Sequence, residues 1–104
     1  MPKTLQNVYP GEVLDQEFLQ PLGLSQNALA RAVGVAPRRI NEIVLGKRGI
    51  SADTALRLAR AFGASAEFWM NLQTAFDLEE AARTIGPALA AVEPIAARAA
   101  MGQS

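Results

Sequence analysis

Residues 24–50, with the sequence LSQNALARAVGVAPRRINEIVLGKRGI, decide the fold of this chain. The first half predicts a short helix, because Ser25 is a favourable N-cap and apolar residues behind it recur on one helical face. That face consists of Leu29, Ala32 and Val33. The second half predicts another helix, which Pro37 opens and Gly46 ends. Its apolar face consists of Ile40, Ile43 and Val44.

The connection between these two helices is short, from Gly34 to Ala36. Gly34 can adopt a left-handed backbone conformation without steric penalty, so the chain can turn sharply there. Two helices that cross within such a turn have helix-turn-helix geometry, which places the second helix in the major groove of DNA. We therefore expect this stretch to bind DNA.

The composition limits the alternatives. A chain of 104 residues, half of them apolar, is expected to form one domain with a modest core. It contains neither Cys nor His, which removes disulfides, thiolate nucleophiles, zinc-finger ligands and the most common general base. Neither of the carboxylate pairs Asp15/Glu17 and Glu79/Glu80 has the spacing that shares a helical face. We expect no metal, no cofactor and no enzymatic activity.

No apolar run approaches the roughly 20 residues of a membrane span. The first residues, MPKTLQNVYPG, lack the apolar core of a signal peptide. The sequence predicts a cytoplasmic protein that does not associate with a membrane.

The net charge is zero, but its distribution is uneven. Residues 31–60 contain seven basic and two acidic side chains, a net charge of +5. Residues 1–30 carry −2 and residues 61–104 carry −3. The middle could therefore meet a polyanion, while the acidic flanks could face a basic partner. The alternative is a solvated surface on which these charges happen to cluster.

A first helix is expected to begin at Pro10, before the central stretch. It should end near Leu19, because Pro21 disfavours helical geometry at the residue before it. Leu22 and Leu24 would then attach the connection to the core. A fourth helix follows the central stretch, with an N-cap at Ser51 and an end at Gly63.

Arg57 and Arg60 lie on the outer side of this fourth helix, where they either lengthen the basic surface or are merely solvated. A fifth helix begins after Ser65 and is expected to run to Thr84 at most. Its apolar arc is broad for a surface helix, so we expect it both to complete the core and to form a dimer interface. The candidate interface residues are Phe68, Trp69, Leu72 and Phe76.

Together these patterns predict an all-α, compact five-helix domain over residues 9–84, preceded by a loose arm over residues 1–8. Residues 85–104 are rich in alanine, which favours helix, but Gly86, Pro87 and Pro94 interrupt them. We expect this tail to be partly ordered.

Five segments carry a resemblance to a known family: YPGE (residues 9–12), LGLSQ (22–26), RINEI (39–43), GKRGI (46–50) and SAEFWMNLQ (65–73). They resemble the HigA-type, or VapI-type, antitoxins. These antitoxins are a branch of the XRE helix-turn-helix proteins, a family that also includes the phage repressors. The resemblance covers about residues 8–80 and implies a lambda-repressor-like fold. It also implies a homodimer that binds an inverted repeat in its own operator, represses that operon, and pairs with a RelE-like (HigB-like) toxin that cleaves messenger RNA on the ribosome.

Three positions depart from that family or from phage repressors. Tyr9 replaces a His, for which we expect no consequence in DNA binding. Ala36 occupies the N-cap of the third helix, where Ser or Thr would bond a backbone N–H. Pro37 stands where phage repressors often carry a base-reading Gln, so base recognition must depend on other side chains.

The polar face of the third helix supplies those side chains. Arg38 is expected to be the main base reader, because Arg pairs bidentately with guanine, and Arg39 is expected to contact a base or a phosphate. Asn41 suits adenine, and Glu42 can accept from cytosine. The alternative for Arg39 and Glu42 is a surface pair bonded to each other.

Phosphate contacts are expected on either side of this helix. Gln26 and Asn27 open the second helix, whose positive end suits a phosphate, and by resemblance to phage repressors Gln26 clamps the DNA backbone. Lys47 and Arg48 would hold the next phosphates. The full predicted DNA-binding set is Gln26, Asn27, Pro37, Arg38, Arg39, Asn41, Glu42, Lys47 and Arg48.

Two other functions are compatible with the same residues. The nearer one is a stand-alone XRE-family transcriptional repressor without a toxin partner, or a phage regulator that senses another signal. The other is a protein-interaction domain that uses this fold without DNA, which the zero net charge allows. The basic middle of the chain favours DNA over this last alternative.

Overall fold

A computed structural model of the chain describes residues 7–95, and the regular structure in that range is entirely helical. The helices, numbered in chain order, are α1 (residues 10–22), α2 (Gln26–Val33), α3 (Pro37–Val44), α4 (Ala52–Phe62), α5 (Ala66–Thr84) and α6 (Gly86–Ala90). The predicted all-α five-helix domain is confirmed, with α6 as a short addition. Residues 1–6 of the predicted arm and 96–104 of the predicted tail lie outside the described residues, and the division into arm, domain and tail stays a prediction.

Helix α1 contains a π-helical segment, Leu14–Leu19, at whose end the Gln20 N–H donates to the Asp15 carbonyl. The helix then continues through Pro21 to Leu22, so the end predicted three residues earlier is wrong. A π turn is wider than an α turn, which gives the ring of Pro21 room beside the preceding turn. The sequence rule for proline is overcome here by a local change of helix type.

Two side chains that were predicted to pack inward are exposed. Leu22 faces solvent because α1 extends to include it, whereas Leu24 is half-buried against the core. In α2, Ala30 is buried and Ala32 is exposed. Both alanines lie about 80° from the centre of the larger apolar side chains of α2, so helical spacing alone does not distinguish them.

Serine caps begin three of the helices, as predicted. The hydroxyl oxygens of Ser25, Ser51 and Ser65 accept the N–H three residues later at 3.0, 3.3 and 3.0 Å. Gly34, with φ of +76°, ends α2 in the left-handed conformation. Ala36 gives α3 no side-chain cap, as its lack of a hydroxyl predicts. These local signals set the crossing of α2 and α3.

The core contains the buried apolar side chains of Leu14, Leu19, Leu29, Ala30, Val33, Ile40, Ile43, Ile50, Ala55, Leu58 and Trp69. Trp69 is the largest of these and is 0% exposed. Its ring centroid lies 4.9 Å from that of Phe18 and 5.0 Å from that of Phe68. The indole completes the core of the domain, and a fully buried side chain has no surface to offer a partner, so the structure places Trp69 in the core and not in the predicted dimer interface. Phe68, Leu72 and Phe76 stay predictions for that interface.

The backbone of helix α1 packs directly against the backbone of α3. Gly11 is buried, and a Cβ at this position would lie 1.7 Å from the Ile43 carbonyl oxygen. That separation is far below van der Waals contact, so a residue with a side chain would push the two helices apart. The inner side of α3 is thus fixed against α1, and its outer side is left exposed.

Helix α5 ends at Thr84, as predicted, and Asn7 in the N-terminal segment donates to the Phe76 carbonyl of this helix at 2.9 Å. Between residues 78 and 95, in the second half of α5, in α6 and in the residues next to α6, five large apolar side chains are exposed. They are Leu78, Ile85, Leu89, Val92 and Ile95. Among residues 7–95, no helix combines the length and the hydropathy needed to cross a bilayer.

Candidate nucleic-acid interface

The outer side of α3 carries a carboxylate held between two arginines. Arg38 Nε donates to Glu42 Oε2 at 2.9 Å. Arg48, in the loop after α3, approaches Glu42 Oε1 with both Nε and Nη2 at 2.9 Å. The Arg38 side chain is 85% exposed, and that of Glu42 is 22% exposed. These three residues, called the Glu42 cluster below, place positive charge outermost.

The ionisation of the Glu42 cluster follows from its contacts. The hydrogen bonds from Arg38, and next those from Arg48, hold the pKa of the Glu42 carboxyl below its ordinary value. The opposing effect of burial is smaller. Glu42 is therefore ionised at neutral pH, and the cluster has one net positive charge.

A side-chain hydrogen bond joins the start of α2 to α3. Asn41 Nδ2 donates to Gln26 Oε1. At the same end of α2, Ser25 accepts the N–H of Ala28, and the N–H groups of Gln26 and Asn27 have no acceptor within residues 7–95. Unpaired N–H groups at the positive end of a helix suit a phosphate oxygen.

Arg39 pairs across to α4. Its Nη1 lies 2.9 Å from Asp53 Oδ1, and Arg57 Nε lies 2.7 Å from the same oxygen. Arg57 Nη1 also donates to the Val33 carbonyl at the end of α2, at 2.7 Å. The alternative of an Arg39 pair with Glu42 is therefore wrong, because each has other partners. The two hydrogen bonds, Arg57 first and Arg39 second, lower the pKa of Asp53.

These contacts give Arg57 a structural role, whereas the sequence suggested either a basic DNA-facing surface or a solvated side chain. Arg39, Asp53 and Arg57, called the Asp53 network below, tie α3 and the end of α2 to α4. A cation at the C-terminal end of a helix also interacts favourably with the helix dipole. The network therefore supports the angle between α2 and α3.

The loop after α3 is held at both ends by distant side chains. Tyr9 Oη donates to the Val44 carbonyl at 2.9 Å, and Gln73 Oε1 accepts the Ile50 N–H at 2.6 Å. Lys47 lies between these points, is exposed, and has no ion pair within the described part of the chain. The loop thus presents Lys47 from a position fixed relative to α3.

The structure brings most predicted DNA-binding residues onto one continuous surface formed by the start of α2, the outer side of α3 and the following loop. Asn27 and Pro37 are exposed at the two helix starts. Arg39 is the exception, since its guanidinium is turned to α4. The supporting residues that the sequence reasoning did not identify are Tyr9, Asp53, Arg57 and Gln73.

Comparison with known proteins agrees with this geometry. Residues 16–69 match the family model described as helix-turn-helix, a range that contains α2, the turn and α3. The fold and the exposed α3 surface therefore define the chain as a helix-turn-helix protein. Virulence-associated protein I of Dichelobacter nodosus is 60% identical over 74 residues, which are 71% of this chain and 68% of that protein.

Two further comparisons specify the family. Antitoxin HigA-1 of Vibrio cholerae is 37% identical over 90 residues, which are 80% of this chain and 85% of that protein. The solved structure of the Pseudomonas aeruginosa antitoxin HigA with the higBA promoter has a TM-score of 0.83 and 46% identity, and the match covers 86% of this chain and 98% of that chain. The chain belongs to the HigA antitoxin family, which confirms the resemblance.

Proposed function

We propose that this protein binds operator DNA as a dimer, represses its own operon and neutralises a RelE-like messenger RNA nuclease toxin. The observation that carries the DNA-binding part is the exposed side of α3, where the Glu42 cluster lies beside a loop of fixed position. The related antitoxin HigA, whose solved structure contains promoter DNA, supports this proposal.

Base recognition is assigned to α3. Its eight residues span about 12 Å, which fits a major groove about 12 Å wide. Arg38 is the most exposed member of the Glu42 cluster and can meet the O6 and N7 atoms of guanine. Asn41 donates one Nδ2 hydrogen to Gln26, and its second hydrogen and its Oδ1 can pair with adenine.

Phosphate contacts surround this helix. The N–H groups of Gln26 and Asn27 would bind one phosphate, and Lys47 and Arg48 would bind the next ones along the strand. Arg39 can reach DNA only if it leaves Asp53, so we assign it a smaller part. Several such contacts release counterions on binding, so affinity should fall steeply with salt concentration.

A dimer would place two α3 helices about 34 Å apart on an inverted repeat. Of the interface residues proposed from the sequence, Phe68 is exposed and Leu72 and Phe76 are half-buried. The exposed apolar side chains of residues 78–95 extend beyond them. Such a surface is typical of a protein interface, which supports self-association through the second half of α5 and α6.

The toxin part of the proposal depends on membership of the HigA antitoxin family. The net charges of −2 over residues 1–30 and −3 over residues 61–104 would suit a basic partner. These acidic segments flank the basic middle, so a toxin and DNA could occupy different surfaces of one protomer.

Two experiments test this function. Titrations of the protein with its own promoter DNA and with a scrambled duplex, at several salt concentrations, should show selective and strongly salt-dependent binding; a flat salt dependence would contradict the DNA model. Co-expression with the adjacent gene should yield a co-purified complex. Selective DNA binding without a co-purified partner would instead favour a stand-alone repressor.

A further inference from the structure

Both oxygens of the Glu42 carboxylate accept hydrogen bonds from arginine side chains. Oε2 accepts from Arg38, and Oε1 accepts from Arg48. A carboxylate that recognises the N4 amino group of cytosine must offer a free oxygen lone pair in the correct direction. Arg38 and Arg48 together use up to three of the about four acceptor sites of the Glu42 carboxylate and fix its orientation, so its main contacts are with the two arginines and not with a base.

The two arginines come from different parts of the chain and serve different expected contacts. Arg38 lies on the exposed side of α3, and Arg48 lies six residues after Glu42 in the loop. Arginine side chains have many rotamers, and ordering them on binding reduces affinity. A carboxylate that bonds both guanidinium groups before DNA arrives restricts these rotamers and sets the spacing between the groups.

Glu42 also changes the electrostatic attraction of this surface for DNA. Its negative charge offsets one of the two neighbouring positive charges, so the cluster attracts phosphates of any sequence less strongly. The contacts that depend on exact placement of a guanidinium are those with base edges, whereas phosphate attraction tolerates displacement. Glu42 therefore lowers the sequence-independent part of binding and preserves the sequence-dependent part.

We infer that Glu42 is a positioning residue for DNA recognition, which holds Arg38 and Arg48 at a fixed spacing and makes binding selective for the operator. This inference rests on the operator binding proposed above. Glu42 acts through the two arginines and does not itself touch a base. The lowered pKa of its carboxyl keeps the charged form present at neutral pH.

The test compares three single variants and one double variant of the full chain by fluorescence anisotropy, on the operator duplex and on a scrambled duplex, across a salt series. Glu42→Gln removes the charge and one acceptor. Glu42→Asp keeps the charge, but its shorter side chain is not expected to reach both arginines. Glu67→Gln, on α5, is the charge-matched control, because Glu67 is exposed and has no ion pair within residues 7–95.

For Glu42→Gln we expect the ratio of scrambled to operator Kd to fall about tenfold, near the lower end of what a bidentate base contact contributes. Part of the fall should come from tighter binding to scrambled DNA, with a salt slope steeper by up to about 0.9 for each additional phosphate neutralised. Glu42→Asp should lose discrimination too, and Glu67→Gln should keep it. In a Glu42→Gln background, Arg38→Ala should have little further effect on discrimination.

Thermal melts of each variant accompany the titrations, so that loss of folding is recognised. Wild-type discrimination in both Glu42 variants would overturn the inference and leave operator binding intact. Discrimination kept by Glu42→Asp alone would overturn it as well, because charge without position would then suffice. A wild-type protein with no preference for the operator would refute the proposed function itself, and this inference with it.

Discussion

Replacement of Trp69 by alanine is expected to lower the free energy of unfolding by about 3 to 5 kcal/mol, as large-to-small changes at buried aromatic positions do. The indole is 0% exposed, and its ring lies 4.9 Å from Phe18 and 5.0 Å from Phe68. Few atoms can collapse into the space it vacates, because the neighbouring rings are themselves packed against the core. A domain of this size has roughly 5 to 15 kcal/mol of stability, so a large part of it would be lost.

Trp69→Phe is the matched control. It keeps an aromatic ring and removes the indole N–H, which has no hydrogen-bond partner among the described residues, so it should cost less than Trp69→Ala. Trp69 is the only tryptophan, so its replacement removes the tryptophan fluorescence that could otherwise report unfolding. The free energy of unfolding of both variants is therefore measured by urea unfolding, followed by circular dichroism at several protein concentrations. A loss below about 1 kcal/mol for Trp69→Ala would show that the indole is not a core residue.

Three further changes test the DNA surface and its support. Arg38→Ala should reduce the preference for the operator base by about 1 to 3 kcal/mol at one base pair per half-site, measured with duplexes that carry single base-pair changes. An equal loss of affinity for operator and scrambled DNA would refute the role of Arg38 in base recognition. Lys47→Ala should weaken binding to all DNA sequences alike and reduce the slope of log affinity against log salt concentration by about 1. An altered base preference would contradict this expectation. Because Arg57, and next Arg39, lower the pKa of Asp53 in the folded state, the ionised carboxylate stabilises the fold above its ordinary pKa. This contribution should disappear as pH falls through the lowered value, so thermal melts of Asp53→Asn and wild type should converge on acidification; a difference that is constant with pH would contradict it.

The parts of this fold that could be predicted from the sequence are those determined by neighbours within about one helical turn. Ser25, Ser51 and Ser65 each bond the N–H three residues later, and Gly34 ends its own helix. The end of α1 does not follow from such local signals, because the π turn before Pro21 lets the helix continue past this proline.

Contacts between residues that are distant in the sequence cannot be predicted from local patterns. Arg39 pairs with Asp53, 14 residues away, and Tyr9 bonds the Val44 carbonyl, 35 residues away. No local pattern indicates either partner, because both depend on how the helices pack. An apolar arc such as that around Trp69 poses a related problem, since a core and a protein interface both select large apolar side chains.

The close approach of Gly11 to Ile43 limits how this protein could acquire a new operator. Exposed positions of α3 can change during evolution or engineering with little effect on stability, because their side chains do not pack against the rest of the domain. Position 11 contacts no base in the proposed complex, yet any side chain there would collide with the α3 backbone and tilt the whole recognition surface. A library designed to alter DNA specificity should therefore randomise the outside of α3 and keep glycine at position 11.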